Sequence, residues 1–158
     1  MKIYHLSRNQ KLPITQDVAW AFFSNPANLL ELTPAWAKMT DQSPERFKSI
    51  FTGMVQVLGL KLPSGLPCTW VAVITHVDAP NYFIDEQRSG PFKLWHHRHE
   101  ILPVEGGVEV KDSIHYAIPY GAFGHLAHNL FVRNQLHELF DYRAEMLEDF
   151  FGKFTQSV

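Results

Sequence analysis

The chain has 158 residues, a formal net charge of −2 and no cluster of Lys or Arg, which argues against nucleic-acid binding. No apolar run reaches the roughly 18 residues that span a bilayer, so we expect no integral membrane association. Cys68 is the one cysteine, which excludes an intrachain disulfide, and the N-terminus lacks a secretory pattern, so we expect a cytoplasmic protein. The length predicts one domain over residues 1–158.

The first third of the chain predicts a strand followed by two short helices. Residues 2–12 alternate polar with apolar side chains until Pro13, which is typical of an edge strand. Thr15 is an N-cap candidate for a helix that ends at Asn25-Pro26. A second short helix is expected from Pro26 to Leu32, because proline is well tolerated in the first turn.

In residues 36–118, polar and apolar side chains alternate with a period of two residues, which predicts six strands. Short turns such as Pro63-Ser64-Gly65 and Ser89-Gly90-Pro91 separate them, so neighbouring strands are expected to be antiparallel. The predicted strands cover residues 36–42, 48–62, 67–78, 82–88, 92–102 and 108–118.

A long helix is predicted at the C-terminal end, from about His125 to Phe154. Apolar residues recur there every three or four positions, at Leu126, Leu130, Leu136, Phe140, Leu147, Phe150 and Phe154. Arg133 and His137 interrupt this apolar face. The fold class is therefore α+β, with a curved seven-stranded antiparallel sheet around the long helix, because the apolar face of the sheet and that of the helix must bury each other.

The hairpin over residues 92–118 carries the polar residues of greatest interest. If Gly106-Gly107 forms a two-residue turn, Glu105 lies opposite Val108, His99 opposite Ile114 and His97 opposite Tyr116. Alternation then places one set of side chains on the inner face of the sheet: Trp95, His97, His99, Ile101, Asp112, Ile114, Tyr116 and Ile118.

The preceding strand offers a carboxylate to this face, and the parity of the Ser89-Gly90-Pro91 loop decides which one. An even loop brings Glu86 beside His97, whereas an odd loop brings Asp85 and Gln87. We favour Glu86.

The inner-face polar residues admit three interpretations. They could form a structural network of neutral imidazoles, since buried polar groups must be hydrogen-bonded. They could be polar anchors in an apolar ligand cavity. His97 and His99 with a nearby carboxylate could also bind zinc or iron. The sequence has no G-x-S-x-G motif and no phosphate-binding glycine loop, and we expect neither a metal nor a cofactor.

Motifs along the whole chain resemble the helix-grip superfamily, called START-like or SRPBCC, and within it an uncharacterised bacterial subgroup, some of whose members are labelled cell-division inhibitors. The resemblance rests on residues 20–26, 28–29, 32–34, 85–87, 90–92, 95–99, 112–116, 119–121, 132–136, 140 and 142–143. It implies a deep cavity between the sheet and the long helix. It does not by itself imply a function, since the superfamily includes carriers, enzymes and sensors.

Binding of a hydrophobic or aromatic small molecule, lipid-like or polyketide-like, is the leading functional hypothesis. The expected ligand-binding residues are Trp70, Glu86, Trp95, His97, His99, Ile114, Tyr116, Ile118, Arg133, His137, Phe140 and Leu147, with Arg133 placed to bind a carboxylate or enolate oxygen. An alternative is a metal-free enzyme of cyclase, dehydratase or hydrolase type, in which His97 or His99 acts as acid or base beside Glu86. A third is a regulatory or protein-interaction module with no ligand.

Overall fold

A seven-stranded antiparallel sheet forms most of the structure, a computed structural model that describes residues 1–62 and 65–155. The strand order is β1-β7-β6-β5-β4-β3-β2, so the N-terminal strand lies at one edge, as the sequence predicts. The strands are β1 Tyr4–Leu12, β2 Thr40–Asp41, β3 Val55–Lys61, β4 Pro67–Asp78, β5 Tyr82–Ser89, β6 Leu94–Val104 and β7 Gly107–Ala117.

The second and third predicted strands are shorter than the sequence pattern suggests. Residues Ala35–Ala37 form a 3₁₀ turn after Pro34, and only Thr40–Asp41 pair as a strand. The strand predicted over residues 48–62 begins at Val55, because Gly53 adopts a φ of 94° and turns the chain just before it. The turn predicted at residues 63–65 lies partly outside the described residues.

The β6–β7 hairpin has a different register from the predicted one. Val104 pairs with Gly107, so the turn consists of Glu105 and Gly106. Gly106 supplies the positive φ of the turn, at 82°. Gly107 instead lies in the strand against β1, where a Cβ atom would overlap the Leu12 carbonyl oxygen. Glycine is therefore needed at both positions for different reasons.

The register error is an even number of residues, so it leaves the two faces of the hairpin unchanged. His99 lies opposite Asp112, His97 opposite Ile114 and Trp95 opposite Tyr116. The pairs predicted from the sequence, such as His97 with Tyr116, are wrong by two residues. Because side chains alternate with a period of two, the same residues still lie on the inner face.

Two short helices follow β1 and cover one end of the sheet. Helix α1, Gln16–Phe23, begins at Thr15, whose side-chain oxygen accepts a hydrogen bond from the Val18 N–H at 3.4 Å, as predicted. Helix α2, Asn28–Glu31, is shorter than the predicted segment from Pro26 to Leu32. Ala19 packs with Leu12, Ile101, Val108 and Leu147 in the apolar core at this end.

The C-terminal helix runs over residues 121–151 and contains a π-helical turn. Its parts are α3 Gly121–Ala127, the π segment His128–Val132 and α4 Arg133–Phe151. It begins and ends earlier than predicted, and the positive φ of Gly152, 86°, ends it. No helix among the described residues has the length and apolar character needed to cross a membrane.

The predicted apolar face is correct only from residue 136 to residue 147. Leu136, Phe140 and Leu147 are buried, whereas Leu126, Leu130 and Phe150 are 57%, 55% and 44% exposed. The residues buried earlier in the helix are Gly124 and His128, which together with Leu136 and Phe140 keep a spacing in multiples of four residues. An α-helix has about 3.6 residues per turn, so side chains four positions apart rotate progressively around the helix axis. The wider π turn offsets this rotation and keeps the four residues on one side.

The π segment is anchored to the sheet through His128. Its Nε2 atom lies 2.8 Å from the Tyr116 hydroxyl, and its ring stacks on Tyr4 with centroids 3.6 Å apart. Burial raises the pKa of Tyr116 and lowers that of His128, so both side chains stay neutral around pH 7. This contact fixes the start of the long helix above β7 and β1.

Candidate functional site

A cavity of about 620 Å³ lies between the inner face of the sheet and the C-terminal helix. Its volume falls within the range of small-molecule binding sites. The wall is mainly apolar and includes Trp70, Phe92, Trp95, Ile118, Phe140 and Leu147. Tyr120 and Phe123 also line it although they are 84% and 82% exposed, which places the opening at the start of the C-terminal helix.

Four polar residues from three neighbouring strands form a cluster in the cavity wall. Asp85 of β5 pairs across the ladder with His97 of β6, and Asp112 of β7 pairs with His99 of β6. The two carboxylates therefore lie diagonally on either side of two imidazoles, whose ring centroids are 3.6 Å apart. We call these four residues the Asp-His cluster.

His99 binds one carboxylate through each of its ring nitrogens. Its Nε2 atom lies 2.8 Å from Asp85 Oδ2 and its Nδ1 atom 2.9 Å from Asp112 Oδ1. Ionised carboxylates only accept hydrogen bonds, so both nitrogens must carry a proton. Burial on its own lowers the pKa of His99, but the hydrogen bonds to Asp112 and Asp85 raise it to about 9. His99 is an imidazolium at neutral pH.

His97 is held in the neutral form. Its Nε2 atom donates to Asp112 Oδ1 at 2.8 Å, and its Nδ1 atom lies 3.6 Å from Asp85 Oδ2, beyond a good hydrogen bond. Burial and the neighbouring positive charge of His99 lower the pKa of His97 despite the two carboxylates. The cluster thus contains one charged and one neutral imidazole.

Both carboxyl groups of the cluster are ionised. Burial alone would raise the pKa of Asp112, but the hydrogen bonds from His97 and His99 hold it well below its usual range. The pKa of Asp85 is lowered in the same way, against burial, by its hydrogen bond from His99 and by the charges of His97 and His99. The low pKa values follow from donors on the neighbouring strand.

Arg143 of α4 completes the charge balance on the opposite wall. Its Nε atom donates to the Leu32 carbonyl oxygen at 3.2 Å, and the side chain lines the cavity. Burial lowers the pKa of Arg143, and the charges of Asp112 and Asp85 oppose that effect. A guanidinium remains charged under these conditions. Two carboxylates are therefore balanced by one imidazolium and one guanidinium.

Gln56 of β3 adds a polar group to the cavity wall at some distance along the sheet. Its side chain is 8% exposed, and its Nε2 atom has no hydrogen-bond partner among the described residues. It lies between the inward-facing residues Met54 and Leu58, which are buried. An amide group with a buried, unpaired N–H thus lies in an otherwise apolar part of the cavity wall.

Asp85, His97 and His99 are also the residues that could hold a metal ion, since one donor atom from each lies within 4.8 Å of the others. Two imidazoles and a carboxylate suit zinc or iron. Ligands of a tetrahedral ion with bonds of about 2.0–2.1 Å are roughly 3.3 Å apart. Within this set, His99 Nε2 lies 2.8 Å from Asp85 Oδ2, which matches a hydrogen bond, whereas His97 Nδ1 lies 3.6 Å from the same oxygen.

Seven of the residues expected to bind a ligand do line the cavity: Trp70, Trp95, His97, His99, Ile118, Phe140 and Leu147. Ile114 and Tyr116 lie on the inner face but are not among the residues that line the cavity; they pack with Trp95 and Leu136. The expectation that they contact a ligand stays a prediction.

The preference for Glu86 as the carboxylate beside the histidines is wrong. Asp85 occupies that position, and Glu86 lies on the outer face, opposite His96. The loop after β5 is closed by Gln87, whose amide group bonds both the N–H and the carbonyl of Phe92. The observed pairing is the odd-length alternative, which the loop residues alone do not distinguish from the even one.

Arg133 and His137 are not among the residues that line the cavity, so the structure does not bring them together with the other expected ligand contacts. Arg133 is exposed, and His137 faces β1, where its Nδ1 atom lies 2.6 Å from Arg8 Nη2. They line a separate, smaller recess of about 300 Å³ with Tyr4 and Tyr116. The π turn rotates this part of the helix relative to a continuous α-helix.

Three further cavity residues were not among the expected ligand contacts, although the sequence patterns contain signals for them. Arg143 falls between Phe140 and Leu147 at the helical spacing of the buried face. Asp112 lies on the predicted inner face, and Gln56 alternates with buried Met54 and Leu58. Charged and amide side chains are normally assigned to the surface, because they are seldom buried.

Comparison with known structures identifies the fold of this chain. No protein-family model matches the sequence, and no curated protein matches it. A protein from Thermus thermophilus is similar in structure, with a TM-score of 0.69, 16% identity, and 92% of this chain and 95% of that chain covered.

Two plant proteins are also similar to this chain in structure. Ginseng major latex-like protein 151 from Panax ginseng has a TM-score of 0.68 and 14% identity, covering 94% of this chain and 97% of its own. A Thalictrum flavum norcoclaurine synthase point mutant, in complex with a transition-state analogue, has a TM-score of 0.64 and 14% identity, covering 94% and 96%. The chain therefore has the helix-grip fold that its sequence predicts.

Proposed function

We propose that the protein binds a hydrophobic or aromatic small molecule, with a lipid-like or polyketide-like skeleton, in the cavity between the sheet and the C-terminal helix. The observation that carries the proposal is an apolar cavity of about 620 Å³ with one compact group of charged residues in its wall. Apolar walls provide affinity, and a few placed polar groups orient a ligand. This proposal treats residues 1–158 as one cytoplasmic domain of the bacterial SRPBCC subgroup.

The expected affinity follows from the size of the ligand. At about −0.3 kcal/mol for each non-hydrogen atom, a ligand of roughly 20 such atoms binds with about −6 kcal/mol, a Kd of some tens of micromolar. The open cavity also argues against an interaction module whose interior is packed shut. Ligand binding is thus within reach of ordinary titrations at micromolar protein concentration.

Native mass spectrometry of the purified protein, combined with thermal shift measurements over fatty acids and aromatic ketones, tests this proposal. We expect a retained ligand in the spectrum, or a rise in Tm with at least one class of compound, because a ligand that binds only the folded state stabilises it. The absence of both results, with the protein folded by circular dichroism, would overturn the proposal.

A second candidate function is proton transfer on a bound substrate, as in a metal-free cyclase, dehydratase or hydrolase. The observation in its favour is neutral His97, whose proton-accepting Nδ1 atom is not engaged by a good hydrogen bond, next to the His99 imidazolium. His97 would act as the base, and the charge of His99 would stabilise a developing oxyanion. The norcoclaurine synthase neighbour indicates that the fold can support catalysis.

Exchange of the C2 protons of α-tetralone in D₂O, followed by proton NMR, tests this function. The wild type and a His96→Gln control, which is changed on the outer face of the sheet, should both accelerate exchange. In a His97→Gln variant, the acceleration of the exchange rate should be smaller by at least about tenfold. The rate should rise with pH through a pKa below the usual histidine value and fall again near 9, as His99 loses its proton. Equal rates for His97→Gln and wild type would eliminate His97 as the base.

A further inference from the structure

Gln56 is the one residue of the cavity wall with a buried hydrogen-bond donor that the described residues leave unpaired. Two such buried atoms occur among them, Gln56 Nε2 and Arg8 Nε, and only Gln56 lines the cavity. An amide N–H removed from water without an acceptor is destabilising. The cavity wall therefore contains an unsatisfied donor, and rotation of the Gln56 side chain would bring it to a ligand oxygen.

Arg143 presents further unused donors to the same cavity. Of its five N–H groups, only the Nε group has an acceptor among the described residues, the Leu32 carbonyl. Within that part of the chain it forms no ion pair with a carboxylate. Gln56 belongs to β3 and Arg143 to α4, so donors face the cavity from both the sheet and the helix.

The carboxylates of the Asp-His cluster are already engaged, which leaves His97 Nδ1 as the free acceptor of the cluster. Asp85 and Asp112 accept hydrogen bonds from His97 and His99. The free hydrogen-bonding capacity of Gln56 Nε2 and Arg143 is of donor type, and it calls for an acceptor on the ligand. Lys61 also lines the cavity but is exposed to solvent, whereas the less exposed charges of the wall, two negative and two positive, balance one another. A carboxylate bound beside Gln56 and Arg143 would therefore have no buried counter-ion of its own.

We infer that the ligand is a neutral carbonyl compound with an apolar or aromatic skeleton, whose oxygen accepts hydrogen bonds from the Gln56 amide and the Arg143 guanidinium. This inference rests on the proposed binding function and specifies its ligand class. Ketones and esters provide an acceptor without a charge. A hydrocarbon leaves both donors unpaired, and a carboxylate adds an unbalanced charge.

A matched set of naphthalenes tests the inference by isothermal titration calorimetry. 2-Acetylnaphthalene, 2-ethylnaphthalene and 2-naphthoate have similar shapes and differ in carrying a ketone, no acceptor or a carboxylate. After correction for partition between water and octanol, we expect the ketone to bind about tenfold more tightly than the hydrocarbon, and the carboxylate more weakly than the ketone.

Two variants assign this preference to its donors. Gln56→Leu and Arg143→Met should each reduce the ketone preference several-fold and leave the affinity for 2-ethylnaphthalene unchanged. If Arg143→Met does not fold, Arg143→Lys keeps the charge and is expected to weaken ketone binding less. In amide NMR spectra of the wild type, the Gln56 side-chain NH₂ signals should move downfield with the ketone and not with the hydrocarbon.

Gln87 provides the matched control, because its amide group is fully paired with the backbone of Phe92. Gln87→Leu should lower Tm, whereas Gln56→Leu, which removes an unpaired donor, should leave Tm unchanged or raise it. The inference would be overturned if the ketone and the hydrocarbon bound with equal affinity, or if both variants kept the preference for the ketone. Either result would leave the proposed function standing. If none of the three compounds binds, the proposed function itself fails.

Discussion

His97 and His99 lie two residues apart on one strand, and their environments give them opposite protonation states. His99 has an acidic partner at each ring nitrogen within 2.9 Å, whereas His97 has one close partner at 2.8 Å and a second at 3.6 Å. Once one imidazole of two adjacent buried rings is charged, burial and like-charge repulsion keep the other neutral. The geometry of two carboxylates decides which ring holds the proton.

We expect His99 to stabilise the folded state at neutral pH and to lose this effect in alkaline solution. Its folded-state pKa of about 9 lies above the unfolded value of about 6.5, so the stabilisation is complete below pH 6.5 and disappears as pH rises through 9. The loss between about pH 7 and pH 10 should be about 2 kcal/mol in the free energy of unfolding.

Nitrogen NMR of the imidazole side chains checks this prediction directly. At about pH 7.5, both ring nitrogens of His99 should carry protons, whereas His97 should carry one, on Nε2. Urea unfolding of the wild type and of a His96→Gln control should show the same alkaline loss, which a His99→Gln variant should lack. A His99 signal that titrates near the unfolded value of about 6.5 would contradict the prediction.

Among the secondary-structure elements, the C-terminal helix shows how one π turn redistributes burial along a sequence. Before the π segment and within it, the apolar side chains of Leu126 and Leu130 are exposed and His128 is buried; after it, Leu136 and Phe140 are buried. The same change directs Arg133 away from the cavity and leaves Arg143 as the guanidinium in its wall.

Leucine substitutions in and after the π segment should therefore differ in their effect on stability. Leu136 packs with Trp95, Ile114, Tyr116 and Phe140, so Leu136→Ala should lower the free energy of unfolding by about 2–4 kcal/mol. Leu130→Ala should change it by no more than about 0.5 kcal/mol, because that side chain is 55% exposed. Chemical unfolding followed by circular dichroism measures both. Similar costs would indicate that the helix is a continuous α-helix with a single buried face.

For the molecule as a whole, the cavity results from how the sheet and helix meet. Separate apolar clusters close the space at different places, one around Leu12, Ile101 and Leu147 and another around Trp95 and Tyr116. Between them, the helix and sheet remain apart, and small residues such as Ala72 line the wall. Because Trp95 and Leu147 belong both to these clusters and to the cavity wall, the packing that stabilises the fold also forms part of that wall.

Filling the cavity should abolish ligand binding and preserve the fold. Ala72 lies on the inner face of β4 and lines the cavity, and its neighbour Val71 lies on the outer face. Ala72→Trp should lose the ligand-dependent rise in Tm, whereas Val71→Trp should keep it. Circular dichroism confirms folding in each case, and Leu60→Trp is a second inner-face variant should Ala72→Trp unfold. Unchanged binding in both inner-face variants would place the ligand elsewhere.

Local sequence patterns were sufficient to predict the order of the elements, the number of strands and the inner face of the hairpin that carries His97 and His99. These features depend on periodicity and on turn residues, and an even register error cannot move a side chain to the other face. The N-cap at Thr15 was predictable in the same local way.

Side-chain contacts, in contrast, accompany two features that periodicity does not predict: Asp85 joins the histidines instead of Glu86, and Arg143 lies in the cavity instead of Arg133. In the first case Gln87 bonds the backbone of Phe92, five residues later, across the loop whose length decides the strand pairing. In the second, the contact of His128 with Tyr116 and Tyr4 accompanies a π turn that rotates the helix. Both outcomes depend on packing between residues that local periodicity does not connect.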